Sequence, residues 1–519
     1  MVTGIVMRRK YSVCVKVGGL SAALLLCSGA QAGAQIPYPN PINHVIVIDQ
    51  ENRTIDNLFG SNSPRNKYYL PGLNVATSGL AWSFVNGKKT VFTVQSVALP
   101  LSSVVGSGGS IDADDYDPNH SHSLWVTACD APHKTDPSNL CAMDGFNNVS
   151  VTCDKGVTGC PGPAYPTYAY VRYKDVVPYF QIAAEYGYAN YMFQTNQGPS
   201  FPAHQFIFGG TSQPGNGPEP DWFVAENNES GISSDYGCAA SAGALVQLVN
   251  PATQDLKTAI FPCFNHETLA DVFAAAKPQI TWTYYTLGPH SLQTAPNAIE
   301  SICTVVNGAC TGPYWTKGAA NGYIDPYNSA NVLTDISNCN LKQVNWVIPA
   351  GIESDHAGFT DGSGPSWVAS IVNAIGTQPK CSNGEVYWNN TVILITWDDW
   401  GGWYDHVVPP PVPAKAPANV ASYVYGFRVP LMVVSAYTPP RTVSNTMGLD
   451  FGAMVKFIEE IFNLGNIPPG NYADYYANDD LGEFFQFSKP ARSFRSIQAP
   501  LEKEVFLDPS RPQDPPDND

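Results

Sequence analysis

Positive charge is scarce in this chain. Its 519 residues include 27 Lys and Arg against 44 Asp and Glu, giving a formal net charge of -17. This deficit argues against binding the phosphates of nucleic acids or an anionic membrane surface. Charged residues make up only 14% of the chain, whereas Gly and Pro number 44 each. Such a composition favours many turns and long surface loops over a helical bundle.

Several familiar catalytic signatures are absent as well. There is no G-x-S-x-G motif, which disfavours a hydrolase of the Ser-His-Asp class. The phosphate-binding P-loop and the dinucleotide fingerprint are also missing. Neither an internal repeat nor a linker between independent folds is visible. We therefore predict a single domain over about residues 40–506, with an insertion at about residues 61–163.

The N-terminus has the pattern of a secretion signal. Basic residues precede an apolar stretch, residues 17–26, that is too short to span a bilayer comfortably, and the small-residue sequence Ala30-Gln31-Ala32 follows. This pattern predicts a signal peptide over residues 1–32, and hence a secreted or periplasmic protein without a stable membrane anchor. A retained membrane anchor is the alternative.

Removal of that segment leaves an even number of cysteines, which suggests disulfides in an exported protein. Their spacing does not match a zinc finger. The connectivity stays open, but three local pairs are plausible: Cys129–Cys141, Cys153–Cys160 and Cys303–Cys310.

Apolar runs alternate with helical patterns along the chain. This alternation predicts an α/β fold with a mostly parallel central sheet and helices on both faces. The tail over residues 507–519 lacks apolar content, which predicts disorder. The predicted parallel strands are residues 44–48, 188–193, 280–285, 344–348, 392–397 and 430–436, and the predicted helices are residues 176–186, 267–276, 366–375 and 451–462.

Polar and ionisable residues follow four of these predicted strands. In open α/β sheets, ligands bind outside the carboxyl ends of the strands. The predicted strands therefore deliver candidate ligands to one edge of the sheet. These candidates are Glu51-Asn52, Ser200 between two prolines, Asp355-His356, and Asp398-Asp399.

The residue types are those of a divalent cation site. Carboxylate and amide oxygens suit a hard or borderline metal, and imidazole extends the choice, so Zn, Ca, Mg and Fe all remain open. Adjacent aspartates repel each other in a cleft of low dielectric, and a cation removes that cost. A serine hydroxyl beside the metal becomes a usable nucleophile, and a histidine across the site can protonate the leaving oxygen.

Each candidate also has a structural alternative. Glu51-Asn52 can cap a helix, Asp398-Asp399 can be a strand-to-loop turn, and Ser200 can satisfy backbone groups. The remaining alternatives are a surface pair at Asp355-His356, a solvated loop holding His120 and His122, and purely structural roles for His204, His266, Asp49 and Gln50.

The motifs together resemble the bacterial phosphoesterase family of phospholipases C and related acid phosphatases. The resemblance covers most of the chain from about residue 40 to 465. Its motifs are HVIVIDQENRTIDNLFG, QGPSFPAHQFIFGGTS, ESDHAG, TWDDWGGWYDHVVPP and GFRVPLMVVSAYTPP.

This resemblance implies an alkaline-phosphatase-like fold with a divalent metal and a phosphate ester substrate. By motif, the implied metal ligands are Glu51, Asn52, Ser200, Asp398 and Asp399, and Ser200 is also the implied nucleophile. The implied phosphate-binding or proton-donating groups are His356 with Asp355, His120 and His406.

Two departures bear on the substrate. Ser200 stands where the phospholipase branch usually carries Thr, and Phe451-Gly452-Ala453 replaces that branch's His-x-Ser. The leading prediction is thus an exported, acid-phosphatase-like phosphoric ester hydrolase with a phosphoseryl intermediate. A phospholipase C and a non-catalytic binding protein on the same fold are the alternatives.

Overall fold

The computed structural model describes residues 36–101, 116–131, 140–153, 163–228 and 235–516. The predicted signal peptide over residues 1–32 lies outside the described residues, as does Cys160 of the predicted Cys153–Cys160 pair. Within the described ranges, no helix is both long enough and apolar enough to cross a lipid bilayer.

Short strands and helices follow one another along the chain. The strands are β1 (His44–Gln50), β2 (Ser78–Val85), β3 (Lys88–Gln95), β4 (Ala98–Leu99), β5 (Tyr116–Pro118), β6 (Val151–Cys153), β7 (Tyr170–Val171), β8 (Gly187–Ala189), β9 (Phe223–Asn228), β10 (Val246–Val249), β11 (Leu256–Ile260), β12 (Trp282–Tyr285), β13 (Thr304–Val306), β14 (Ala309–Thr311), β15 (Gly322–Asp325), β16 (Val344–Val347), β17 (Thr391–Trp397), β18 (Leu431–Ser435) and β19 (Thr442–Ser444). The helices are α1 (Ile55–Phe59), α2 (His122–Cys129), α3 (Val177–Glu185), α4 (Ser200–Gly209), α5 (Leu269–Ala275), α6 (Asn331–Ser337), α7 (Gly364–Thr377), α8 (Phe451–Ile461), α9 (Ala473–Tyr476) and α10 (Lys503–Phe506).

A central sheet of eight strands runs in the order β15-β12-β16-β1-β17-β18-β8-β19. Neighbouring strands are parallel except around β18, which is antiparallel to both β17 and β8. The predicted α/β fold with a mostly parallel sheet is therefore confirmed. The prediction of a parallel strand over residues 430–436 is wrong, because a strand buried on both faces has the same apolar pattern in either direction.

Helices pack on both faces of this sheet. On one face, Phe208 of α4 packs against Trp346 of β16, with their ring centroids 5.1 Å apart. On the other face, Tyr179 of α3 packs edge-on against Trp397 of β17 at 5.1 Å. Every residue of β1 and β17 is buried, as expected for strands covered on both sides.

The insertion after α1 contains small antiparallel units. β2 and β3 form a long hairpin, and β5 pairs with β6. Among the described cysteines, the predicted local disulfides Cys129–Cys141 and Cys303–Cys310 are present. Two further bridges, Cys238–Cys263 and Cys339–Cys381, join segments more distant in sequence.

The C-terminal tail is ordered through Pro516, in contrast to the predicted disorder. Arg511 Nε donates to Glu353 Oε1 at 2.6 Å, and its Nη2 donates to Asp361 Oδ2 at 2.9 Å. The Gly351 N–H also donates to the Asp514 carbonyl at 2.8 Å. The composition of the tail did not predict these contacts. The segment is held by the ion pairs of Arg511 with Glu353 and Asp361, and such pairs leave no apolar pattern in the sequence.

Candidate active site

Two neighbouring strands bring four ligand-type side chains together. The last residues of β1 and β17 are paired in a parallel register, so Glu51-Asn52 and Asp398-Asp399 leave the sheet side by side. The Asn52 N–H donates to Asp398 Oδ1 at 3.0 Å, which ties one loop to the other. All four residues are completely buried. The predicted meeting of these pairs at one sheet edge is what the structure shows.

The backbone at this edge adopts a conformation that few residues tolerate. Asn52 has a φ of 61°, in the left-handed region that Asn enters more readily than most side chains. Gly401 approaches so closely that an added Cβ would lie 2.3 Å from the Asn52 carbonyl oxygen. Thr54, rather than Asn52, caps α1 by accepting from the Asn57 N–H at 3.1 Å. The capping alternative for Asn52 is therefore wrong.

Ser200 opens helix α4 and points its hydroxyl at these carboxylates. Its Oγ lies 3.1 Å from Asp399 Oδ2 and 3.5 Å from Glu51 Oε2. The first N–H groups of a helix have no intrahelical acceptors, and the helix dipole favours an anion at that end. A nucleophile placed here is therefore well situated to meet a phosphate group.

His204 lies one turn further along α4, fully buried beside the same carboxylates. Its Nδ1 is 3.1 Å from Asp49 Oδ2, and its Nε2 is 3.5 Å from Glu51 Oε1 and 3.7 Å from Asp398 Oδ2. The sequence predicts purely structural roles for His204 and Asp49, whereas the structure places both at the site. The i, i+4 spacing from Ser200 was the available signal, because residues four apart share one face of a helix.

Negative charge at this site is poorly compensated. Among the described residues, nothing donates a hydrogen bond to the buried Glu51 Oε1 or Asp398 Oδ2, and His204 Nε2 lies 3.5 Å and 3.7 Å from them. Burial and the neighbouring Asp398 raise the pKa of Glu51 well above its usual value. Burial alone would lower the pKa of His204, but Asp49 and Glu51 raise it well above the ordinary value. A positive charge next to these carboxyl groups would therefore stabilise the cluster.

The orientation of the Asn52 amide depends on what neutralises these carboxylates. In one orientation its oxygen lies 3.3 Å from Asp398 Oδ1 and 3.3 Å from Asp399 Oδ1, an arrangement that only a shared cation makes favourable. In the other, its nitrogen donates to both carboxylates and its oxygen accepts from His356 Nε2 at 2.8 Å. Glu51, His204 and Asp398 bring ligand atoms close enough together to hold a divalent metal, and the Asn52 oxygen adds a fourth donor in the first orientation.

Two histidines line the side of Asn52 away from the carboxylates. His120 Nε2 lies 3.3 Å from the Asn52 amide, and the rings of His120 and His356 are 5.8 Å apart. The Ala357 carbonyl lies 2.6 Å from His356 Nδ1, so it fixes the proton there and leaves Nε2 directed at Asn52. Both predicted histidines are therefore at the site.

Asp355 does not join its neighbour His356. Its Oδ2 accepts from Tyr179 at 2.9 Å and from Trp397 Nε1 at 3.0 Å, both on the core side of the sheet. Burial raises the pKa of Asp355 to about 6. Its predicted catalytic role therefore gains no support from its position, because neighbours in an extended segment point in opposite directions.

His406 belongs to a second cluster. Its Nδ1 lies 2.7 Å from Asp56 Oδ2 and its Nε2 lies 3.1 Å from Asn74 Oδ1, so both ring nitrogens have partners there. The buried Arg428 completes this cluster by donating to Asp405 Oδ1 at 2.8 Å and Oδ2 at 2.9 Å. The prediction of His406 as a phosphate-binding group is therefore not supported by its position.

The sequence matches the Phosphoesterase family over residues 42–465. The chain belongs to this family. The resemblance described from the motifs is thereby confirmed, and the carboxylates, Ser200 and His204 all lie inside the matched range.

Relatives of this phosphoesterase are named as phospholipases C. Phospholipase C A of Mycobacterium tuberculosis is 24% identical, and the alignment covers 94% of this chain and 87% of that protein. The non-hemolytic phospholipase C of Pseudomonas aeruginosa is also 24% identical, over 91% of this chain and 62% of that one. The match to the non-hemolytic phospholipase C of Burkholderia pseudomallei is 27% identical but spans only 25% of that protein.

Structural similarity to solved proteins is distant. A protein in the alkaline phosphatase superfamily from Vibrio parahaemolyticus shares 11% identity with this phosphoesterase at a TM-score of 0.30, covering 60% of this chain and 64% of that one. A TM-score of 0.30 is too low to support a statement about the fold, which is therefore described from the order of the strands in the central sheet.

Proposed function

We propose that this protein is a metal-dependent phosphoric ester hydrolase that acts through a phosphoseryl intermediate at Ser200. The observation that carries the proposal is the position of the Ser200 hydroxyl. It opens a helix, lies 3.1 Å from Asp399 Oδ2 and is completely buried beside the carboxyl groups of Glu51 and Asp399. Family membership and the phospholipase C relatives support a phosphate ester as the substrate.

The proposed reaction has two displacements. The Ser200 hydroxyl passes its proton to Asp399 Oδ2, 3.1 Å away, and its oxygen forms a bond to phosphorus as the bond from phosphorus to the ester oxygen breaks. The leaving oxygen takes the Nε2 proton of a doubly protonated His356 or His120, whose Nδ1–H donates to a backbone carbonyl throughout. Water then attacks the phosphoseryl phosphorus and gives a proton back to the histidine. The bond from phosphorus to Ser200 Oγ breaks, and Oγ recovers its proton from Asp399, which releases phosphate and restores the serine hydroxyl. In both steps, the N–H groups at the start of α4 stabilise charge on the phosphoryl oxygens.

A divalent metal would be held by the carboxylates of Glu51, Asp398 and Asp399, the Asn52 oxygen, His204 Nε2 and Ser200. It supplies positive charge that lowers the pKa of the serine hydroxyl and offsets charge on the phosphate. The imidazole of His204 favours Zn or Fe over Ca or Mg, which prefer all-oxygen ligands. Asp49, at 3.1 Å from His204 Nδ1, would orient that ring.

Hydrolysis of p-nitrophenyl phosphate and bis-p-nitrophenyl phosphate by the purified mature protein tests the proposal. We expect a chelator to abolish turnover and Ser200→Ala to lower it by at least about 10³-fold, because the nucleophile is removed. Ser370→Ala is the matched control, since Ser370 is a buried helical serine whose hydroxyl bonds only the Ser366 carbonyl. Turnover that survives Ser200→Ala would rule out the serine as nucleophile.

A phospholipase C acting on lipid phosphodiesters is the second candidate, favoured by a relative aligned over 94% of this chain. Release of diacylglycerol from phosphatidylcholine, compared with p-nitrophenyl phosphate turnover, separates it from an acid-phosphatase-like activity. A non-catalytic binding protein is disfavoured, because every candidate ligand and the nucleophile are retained.

Export is part of the same proposal. Bridges such as Cys339–Cys381 form readily only in an oxidising compartment, and the N-terminal pattern predicts a cleaved signal. Mass measurement of protein recovered from the periplasm or medium should show a chain lacking about residues 1–32.

A further inference from the structure

The hairpin formed by β2 and β3 carries large apolar side chains that face solvent. Its strands pair from Ser78↔Gln95 to Val85↔Lys88 around the turn Asn86-Gly87. Near the tip, Phe84 is 69% exposed and Val85 is 50% exposed. Such a concentration is unusual, because soluble proteins rarely leave contiguous apolar patches uncovered.

The two faces of the hairpin differ. The inner face packs onto the protein through Ala81 and Val94, which are almost fully buried. The outer face presents Leu80 and Val91, 45% and 48% exposed, in line with Phe84. The exposed apolar residues are therefore not required for holding the hairpin in place.

The inner face connects the hairpin to the candidate active site. Ala81 and Val94 share a hydrophobic cluster with Trp400, the residue directly after Asp399. The Trp400 indole donates to the His120 carbonyl at 3.2 Å. A surface that contacts the hairpin therefore lies close to the loops that carry Asp399 and His120.

The part of the chain that contains the β2–β3 hairpin is positively charged, unlike the protein as a whole. Residues 57–111 contain no Asp or Glu and four basic residues, in a protein whose net charge is -17. One of the four, Lys89, pairs with Asp144 Oδ2 at 3.2 Å and lies over the Trp82 ring. Lys88 is exposed beside the turn. Lys89 is paired with both Asp130 and Asp144, so the tip presents apolar and aromatic side chains and one further cation, and the hairpin itself carries no acidic residue.

We propose that the tip of the β2–β3 hairpin docks on a zwitterionic phospholipid surface and presents the candidate active site to it. Aromatic side chains and a lysine suit the boundary between headgroups and acyl chains. The tip offers only the residues around the Asn86-Gly87 turn, whereas a stable protein interface involves about 20–30 residues on each side. Surface docking deepens the proposed hydrolase function and rests on it for its purpose, but vesicle binding is measurable without turnover.

Co-sedimentation with phosphatidylcholine vesicles tests this docking, using the full mature chain with Ser200→Ala so that the lipid is not consumed. We expect that background to bind, and Phe84→Ser/Val85→Ser to lower its partition coefficient at least about fivefold, because the buried apolar area is lost. The matched control is Val305→Ser/Val306→Ser, at 45% and 50% exposure in the β13–β14 hairpin, and it should bind as the Ser200→Ala background does.

Soluble turnover separates docking from catalysis. With Ser200 intact, Phe84→Ser/Val85→Ser should hydrolyse p-nitrophenyl phosphate at the wild-type rate. The docking proposal would be overturned if the Ser200→Ala protein did not bind vesicles. It would also be overturned if Phe84→Ser/Val85→Ser and Val305→Ser/Val306→Ser lowered the partition coefficient equally. A mass that falls from dimer to monomer in Phe84→Ser/Val85→Ser without vesicle binding would overturn it as well, since the tip then contacts a second copy. Failure of all ester hydrolysis, with docking retained, would instead contradict the proposed function.

Discussion

At the scale of single residues, the pairing of Asp49 with His204 decides how the site handles its charge. A histidine that binds a metal through Nε2 usually donates its other N–H to a carboxylate, which fixes the ring and its tautomer. Asp49 Oδ2 lies 3.1 Å from His204 Nδ1, and Nε2 faces Glu51 and Asp398. The alternative is a protonated His204 that neutralises the carboxylates by itself.

Removing this pair should weaken metal binding. We expect His204→Ala to lose a metal ligand and Asp49→Asn to lower metal affinity about 10–100-fold, because the ring is no longer oriented. Competition against a chelator, followed by elemental analysis, gives the affinity. His266→Ala is the control, since His266 is a buried histidine bonded to the Glu267 carbonyl. Wild-type metal affinity in His204→Ala would favour the protonated counter-ion.

At the scale of elements, the loop after β17 must pass very close to the loop after β1. Gly401 has a φ of +56°, and a Cβ there would lie 2.3 Å from the backbone carbonyl oxygen of Asn52 and 2.6 Å from Asn52 Cβ. The glycine therefore allows the two pairs of candidate ligands to approach.

Gly401→Ala should separate these loops. We expect lower metal affinity and a fall in turnover of about tenfold or more, since small displacements of catalytic groups are costly. Gly87→Ala has a similar φ of +73° but meets nothing within 4 Å, so it isolates the effect of backbone strain. Equal turnover in the two variants would show that the contact with Asn52 is unimportant.

The same two loops are also held by the cluster around Arg428. This arginine is completely buried, donates twice to Asp405 and reaches Asp56 at 3.4 Å. Asp56 lies in α1, four residues after Asn52. Asp405 lies six residues after Asp399, beyond Gly401 and Gly402. The ion pair thus links the segments that carry the candidate ligands.

Arg428→Ala should destabilise the fold by about 3–5 kcal/mol, because it leaves buried carboxylates without their partner. Urea unfolding measures the change. Arg172→Ala breaks the partly exposed pair with Asp175 and should cost no more than about 1 kcal/mol. A similar small loss for Arg428→Ala would mean that the cluster does not stabilise the loops.

The sequence predicts the position of a site residue correctly where that residue directly follows a recognisable strand. Glu51 and Asp398 follow long apolar strands, so their meeting at one sheet edge was predictable. His204 was missed because its contacts come from packing α4 against β1, which no local pattern records. The position of the Asp355 carboxylate was not predictable, because adjacency to His356 says nothing about the direction in which it points.

At the scale of the whole molecule, burial of carboxyl groups couples stability to pH. Burial raises the pKa of Asp450 from 3.8 to about 7, although its side chain caps α8 by accepting from the Ala453 N–H. Burial likewise raises the pKa of Glu353 to about 7. The folded state therefore retains protons that the unfolded chain releases between about pH 4 and pH 7.

The free energy of unfolding should consequently fall as the pH rises from about 4 to 7 and level off above 7. We expect Asp450 to contribute about 1–4 kcal/mol to this fall. Asp450→Asn keeps a capping side chain but cannot ionise, so its loss between pH 5 and pH 8 should be smaller than that of the wild type. Parallel pH profiles for the two proteins would contradict this account.

The most direct measurement is a search for the phosphoseryl intermediate. Mature protein mixed with its metal and a phosphate monoester is quenched in acid and digested, and the peptide containing Ser200 is examined by mass spectrometry. The account predicts one added phosphoryl group on Ser200, absent when chelator is present and absent in Ser200→Ala. Rapid turnover with the phosphoryl group on another residue would contradict it, as would equal labelling of Ser200 in the presence of chelator.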